Sequence, residues 1–115
     1  MHKKIVVLIQ SDPRTNHRVC EGIRIALGLV ASEHQVTVLL IKQAVHILET
    51  DKTDFVDEER LEHFLLAFEH FPGVLFMDAA SRKTCDFCLE DEGVGLLSQS
   101  VSAEKISEAD CFFIF

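Results

Sequence analysis

The stretch 4-KIVVLIQSDPRTNH-17 decides how the rest of the chain is read. After one lysine it runs through five apolar residues, several of them β-branched, without polar interruption. A half-exposed strand would alternate, so this run predicts a strand covered on both faces. Asp12-Pro13 then marks a turn and a helix start, because proline's fixed φ and missing N–H suit a first helical turn. A helix is expected over 14–31, with Val19, Ile23, Ala26, Leu27 and Val30 recurring at helical spacing as a core stripe. Glu21, Arg24 and Ser32 fall off that stripe. Gly22 and Gly28 each cost roughly 1 kcal/mol of helix propensity relative to Ala, which close packing against a sheet would explain.

The alternation continues down the chain. A strand is expected at 36-VTVLLI-41, then a short helix at 43-QAVHIL-48 and an acidic loop. A helix over about 55–71 follows, with Val56, Leu61, Phe64, Leu65, Phe68 and Phe71 on its apolar face. Pro72-Gly73 stops that helix, and 73-GVLFMD-78 reads as the third strand. A short helix over 102–109, with Ser102 as N-cap, leads to a last strand at 110-DCFFIF-115. Strand–helix alternation with continuous apolar strands implies an α/β fold: a small, doubly wound, mainly parallel sheet with helices on both faces. Residues 1–115 read as one domain, with no repeat, low-complexity tract or linker.

Bulk properties narrow the function. The net charge of −8, from 11 basic and 19 acidic residues, disfavours nucleic acid and anionic membranes and permits a basic protein partner. No apolar run approaches the ~18 residues of a membrane span, and the apolar start is too short for a signal peptide. The expected location is the cytoplasm, where the four cysteines stay reduced and form no disulfide framework. Nine Phe with no Trp or Tyr give an aromatic core with few polar handles.

Ligands of such sheets sit beyond the carboxyl ends of the strands. Two segments meet that rule, 10-QSDPRTNH-17 and 77-MDAASRK-83. Asp12, Arg14, Thr15, Asn16 and His17 would lie near Asp78 if the first and third strands were neighbours. An acid, a base and a cation would then meet at one place, as a small polar ligand or acid–base chemistry requires. The plainer reading is a polar loop, with Asp78 capping the following helix. The loop lacks the glycines of a phosphate-binding loop, and no cofactor is expected.

Cys85 and Cys88 form a C-x-x-C pair. On a helix they would share a face, and Arg82 and Lys83 would favour a thiolate. They can act as a dithiol carrier, or pack as small apolar side chains beside Phe87 and Leu89. A structural zinc site needs four ligands. No second C-x-x-C or H-x₃₋₅-H is present, and His63 and His70, seven apart, read as solvated, so no metal site is assigned. Cys20, Cys111 and His46 read as packing residues. The terminal 112-FFIF-115 is too apolar to hang free and predicts a buried strand or an oligomer contact.

The order of these pieces resembles the DsrE/DsrF-like proteins, a family that includes YchN-like proteins and subunits of the TusBCD and DsrEFH sulfur-relay complexes. The resemblance is nearest to the DsrF/TusC branch. It rests on the opening K-I-V-V-L-I strand, 21-EGIRIALGL-29, 36-VTVLLIKQAVHIL-48, 76-FMDAASRKTCDF-87 and the closing A-D-C-F-F-I-F. It implies a small flavodoxin-like or YchN-like α/β domain that forms trimers or hexamers with copies of itself or paralogous subunits. It also implies a cysteine at the end of the third strand that carries sulfur as a persulfide, in exchange with a sulfur-carrier protein. Counted without gaps from 79-AAS-81, that cysteine falls on Asp78 and a later family glycine on Asp86. An aspartate cannot carry a persulfide. The expectation is therefore an assembly or docking subunit, or a relay through Cys85 and Cys88. The competing expectation is a homo-oligomeric small-molecule binding or hydrolytic protein that uses Asp78 with Asp12, Arg14, Asn16 and His17.

Overall fold

Strand β1 (Lys4–Ile9) lies inside a five-stranded sheet of order β4-β3-β2-β1-β5, in which every neighbouring pair is parallel. The structure is a computed structural model that describes residues 3–48, 57–71, 73–79 and 95–115. The other strands are β2 (Gln35–Leu40), β3 (Leu75–Asp78), β4 (Gly95–Leu97) and β5 (Cys111–Ile114). Helix α1 (Arg18–Ala31) joins β1 to β2. A 3-10 helix (Lys42–Leu48) and α2 (Glu58–Phe68) lie between β2 and β3, and α3 (Gln99–Glu108) joins β4 to β5.

The chain steps one way across the sheet from β1 to β4, then returns through α3 to the far side of β1. Parallel crossovers are right-handed, so reversing the direction places the helices on opposite faces. One face carries Ile5, Val7, Ile9, Val36, Val38, Leu40, Leu75 and Met77. They pack with Val19, Cys20, Ile23 and Ala26 of α1, Leu61 and Phe68 of α2, and Ala44, Val45 and Ile47 of the 3-10 helix. On the other face Val6, Leu39 and Leu97 are buried, and α3 reaches over it, with Lys105 Nζ 5.6 Å from the centroid of Phe76. This is the doubly wound α/β architecture expected from the strand–helix alternation.

Several boundaries differ from expectation for local reasons. Residues 14–17 stay out of α1 because side chains hold the backbone in turns: Asp12 Oδ1 accepts from Arg14 N at 2.9 Å, and Asn16 Oδ1 accepts from Arg18 N at 2.8 Å. Such local bonds compete with the helix ladder. The stripe itself stands, with Val19, Ile23 and Ala26 buried and Leu27 and Val30 packed against the core. Helix α1 ends with His34 N–H donating to Leu29 O and Glu33 N–H to Val30 O, while Glu33 takes the left-handed conformation at φ 66°. That is a Schellman ending with glutamate where glycine is usual.

Helix α2 ends at Phe68, so Phe71 lies beyond it, in turns closed by i to i−3 bonds. The last helix is capped by Ser98, whose Oγ accepts from Val101 N at 3.3 Å. Ser102, expected as the cap, sits one turn inside and is buried. Strand β4 was not anticipated. It is three residues long and carries Gly95 opposite Phe76, where a Cβ would come within 2.7 Å of the ring.

Candidate functional site

The carboxyl ends of β1, β2 and β3 lie along one rim of the sheet. Past β1, Pro13 is fully buried and anchors the 12–17 loop. The Asp12 carboxylate accepts from Arg14 Nε at 3.0 Å and from Arg14 Nη2 at 3.0 Å, a two-point pair. The same Nη2 donates to Gln43 Oε1 at 3.3 Å, so the loop is tied to the 3-10 helix after β2. The hydrogen bonds from Arg14 hold the Asp12 carboxyl below its usual range, against an opposing push from burial, and the nearby His46 adds least to the lowering. Asp12 is therefore an anchored carboxylate at neutral pH, fit to position Arg14 and unsuited to donating a proton.

His17 turns the other way. Its Nδ1 bonds Asp57 Oδ2 at 2.6 Å, joining the start of α1 to the start of α2. Asp57 is in the left-handed conformation at φ 63°, a costly backbone state for a residue with a Cβ. The loop thus divides into Asp12 and Arg14, facing the segment after β2, and Asn16 and His17, which organise the entry to α1 and its contact with α2.

Asp78 ends β3 half-buried, and Ala79 after it is helical. In the register Asp78 pairs with Leu97, which places it on the α3 side of the pleat, whereas α1 covers the opposite side. The strands β1 and β3 are not neighbours. β2 lies between them, a separation of roughly 10 Å from strand centre to strand centre. The condition for bringing Asp78 beside Asp12, Arg14, Asn16 and His17 on adjacent strands is not met, and the loop instead meets Gln43 and His46 of the 3-10 helix after β2. Neither residue was singled out as a site candidate, although their position just past the carboxyl end of β2 was a usable signal. Asp57 gave no such signal, because its pairing with His17 spans 40 residues.

Cys85 and Cys88, with Arg82, Lys83 and Asp86, lie outside the described residues. Cys20 is buried in the core, and burial pushes its thiol pKa up. Cys111 is half-buried on β5, and neither of these two is in a disulfide.

No protein-family model matches the sequence, and no curated protein matches it. Comparison with solved structures finds the crystal structure of the YchN protein from E. coli, which superposes with a TM-score of 0.74 over 100% of both chains at 20% identity. The fold is YchN-like. The five parallel strands, the helix pair on one face and the return through α3 are thus a known arrangement, reached here with one residue in five shared. Asp78, on which the ungapped count placed the acceptor cysteine of the resemblance, is the last residue of β3. Among the described residues no helix is long and apolar enough to cross a membrane.

Proposed function

We propose that the protein is an assembly or docking subunit of a cytoplasmic oligomer associated with intracellular sulfur transfer. The observation that carries the assembly role is strand β5. It forms one edge of the sheet, and its Phe112, Phe113 and Ile114 are 40%, 41% and 49% exposed. An apolar edge strand with unpaired backbone groups invites another chain. Phe112 and Ile114 lie on the side of Val6 and Leu8, and Phe113 on the side of Val7, so a partner would cover both sides of the edge.

The link to sulfur transfer rests on the resemblance together with the YchN-like fold. Asp78 at the end of β3 cannot form a persulfide, which favours docking over carriage at that position. The remaining route for carriage is through Cys85 and Cys88, with copies of this chain or paralogous subunits, in a trimer or hexamer, passing sulfur to or from a carrier protein. The test is incubation of the reduced protein with a cysteine desulfurase and cysteine, followed by intact-mass analysis and peptide mapping. A docking subunit gains no sulfur while still joining its oligomer. A sulfur atom on Cys85 or Cys88 would instead make it a relay with a displaced acceptor.

A second reading is supported by the Arg14–Gln43 bond, which gathers polar groups at the carboxyl ends of β1 and β2. In that reading the protein is a homo-oligomer that binds or hydrolyses a small polar molecule, with Asp78 and the 12–17 loop as the binding residues, contributed from the two sides of β2 and not from adjacent strands. Ligand binding that is unchanged in Asp78→Ala would exclude it.

A further inference from the structure

A cleft of about 120 Å³ opens between the first turns of α1 and α2, and Asp12, Arg14 and Asp78 do not line it. Its lining is His17, Cys20, Glu21 and Arg24 from the α1 side and Asp57 and Arg60 from the α2 side. Asp57 is already engaged by His17. Among the described residues, Arg24 and Arg60 have no ion-pair partner. Around the buried Cys20 thiol, whose pKa burial raises, Arg60 and Arg24 act to lower it and Asp57 and Glu21 to raise it, so both arginines and both carboxylates bear on the cleft. Cys20 is 3% exposed, makes no hydrogen bond among the described residues, and forms part of the wall.

We propose that this cleft binds a small tetrahedral oxyanion, free or as the terminal group of a small molecule, between Arg24 and Arg60. Guanidinium forks match the planar pairs of oxygens on such groups, and their charge-assisted bonds are about twice as strong as neutral ones. Two arginines from separate helices can grip one anion from two directions, which neither could do alone. The starts of α1 and α2 both adjoin the cleft and add positive potential of the same sign. Glu21 opposes it as the one lining carboxylate that His17 does not engage, and it sets an upper limit on affinity. The cleft is small, at about 120 Å³, and suits an anion with a short appendage. The Cys20 thiol, neutral because it is buried, forms an uncharged wall beside the anion and reports its presence.

The experiment uses the full chain with Cys85, Cys88 and Cys111 changed to Ser, so that Cys20 is the only thiol. Its alkylation by neutral iodoacetamide is followed against added inorganic phosphate, with glycerol 3-phosphate in a second series and chloride of equal ionic strength as control. Phosphate is expected to slow the alkylation saturably. The Arg24→Gln/Arg60→Gln double variant should weaken that protection at least about tenfold, and Glu21→Gln should strengthen it. Protection by phosphate but not by glycerol 3-phosphate assigns the cleft to the free ion, and protection by both assigns it to a terminal group. A urea titration of each variant separates loss of binding from loss of folding. Equal protection by chloride, or protection unchanged in the folded double variant, would overturn the proposal.

Discussion

Gly22 of α1 faces the ring of Phe115 so closely that a Cβ at position 22 would lie 3.0 Å from two ring atoms and 3.1 Å from Ile9 Cδ1. The last residue of the chain is thereby locked over the first helix. Phe115 N–H donates to Leu8 O at 2.8 Å, and Gln10 N–H donates to Phe115 O at 2.8 Å, so the backbone that carries the ring is held in the sheet. Gly22→Ala gains helix propensity of about 1 kcal/mol but overpacks a site where strain costs about 1–3 kcal/mol. Net destabilisation is expected in urea unfolding. Gly28→Ala is the contrast, because its Cβ would enter open space, and it is expected to stabilise by up to about 1 kcal/mol. Equal effects at the two positions would contradict the packing.

Ser98 and Ser102 should separate in the same assay. Ser98 Oγ caps α3, so Ser98→Ala is expected to cost about 1 kcal/mol. Among the described residues Ser102 Oγ is buried without a hydrogen-bond partner, so removing it relieves an unsatisfied polar group. Ser102→Ala is expected to be neutral or stabilising.

The Asp12–Arg14 pair gives a pH dependence of definite sign. The folded pKa of Asp12 is lowered, chiefly by the Arg14 hydrogen bond. Its contribution is therefore present above the unfolded carboxyl pKa and lost as pH falls through the lower folded value. Both side chains are partly exposed, so screening limits the contribution to about 0.5–1 kcal/mol. Asp12→Asn is expected to lose that amount at neutral pH and to converge with the unaltered protein in strong acid. A difference that grows on acidification would contradict the assignment.

The division between what the sequence revealed and what it hid has physical causes. The runs at 4–9, 36–41 and 73–78 were legible because strands buried on both faces need uninterrupted apolar sequence, and they lie within two residues of β1, β2 and β3. The three-residue β4 was not legible, because its Gly95-Leu96-Leu97 run carries too few residues for any period to show. The error at Ser102 arose because Ser98, Ser100 and Ser102 fall at alternate positions around the start of α3, and only three-dimensional geometry selects Ser98. The site was read less well than the fold. Strand order decides which loops meet at the rim, and local sequence does not encode that β2 separates β1 from β3.

Strand β5 gives the sharpest test of assembly by substitution. Ile114 is the most exposed of its large apolar residues, at 49%. Ile114→Lys puts a charge on the edge, where natural sheets place charges to block strand pairing. Because the side chain is half solvated, the change is expected to cost the isolated fold about 1 kcal/mol or less while shifting the species observed by analytical ultracentrifugation toward monomer. An unchanged sedimentation profile would move the interface away from β5.

The most direct measurement is native mass spectrometry of the unaltered protein at micromolar concentration, alone and mixed with a candidate sulfur-carrier protein. A subunit whose edge strand is built for assembly should appear as a trimer, a hexamer or a mixed complex. A stable monomer under both conditions would contradict the account.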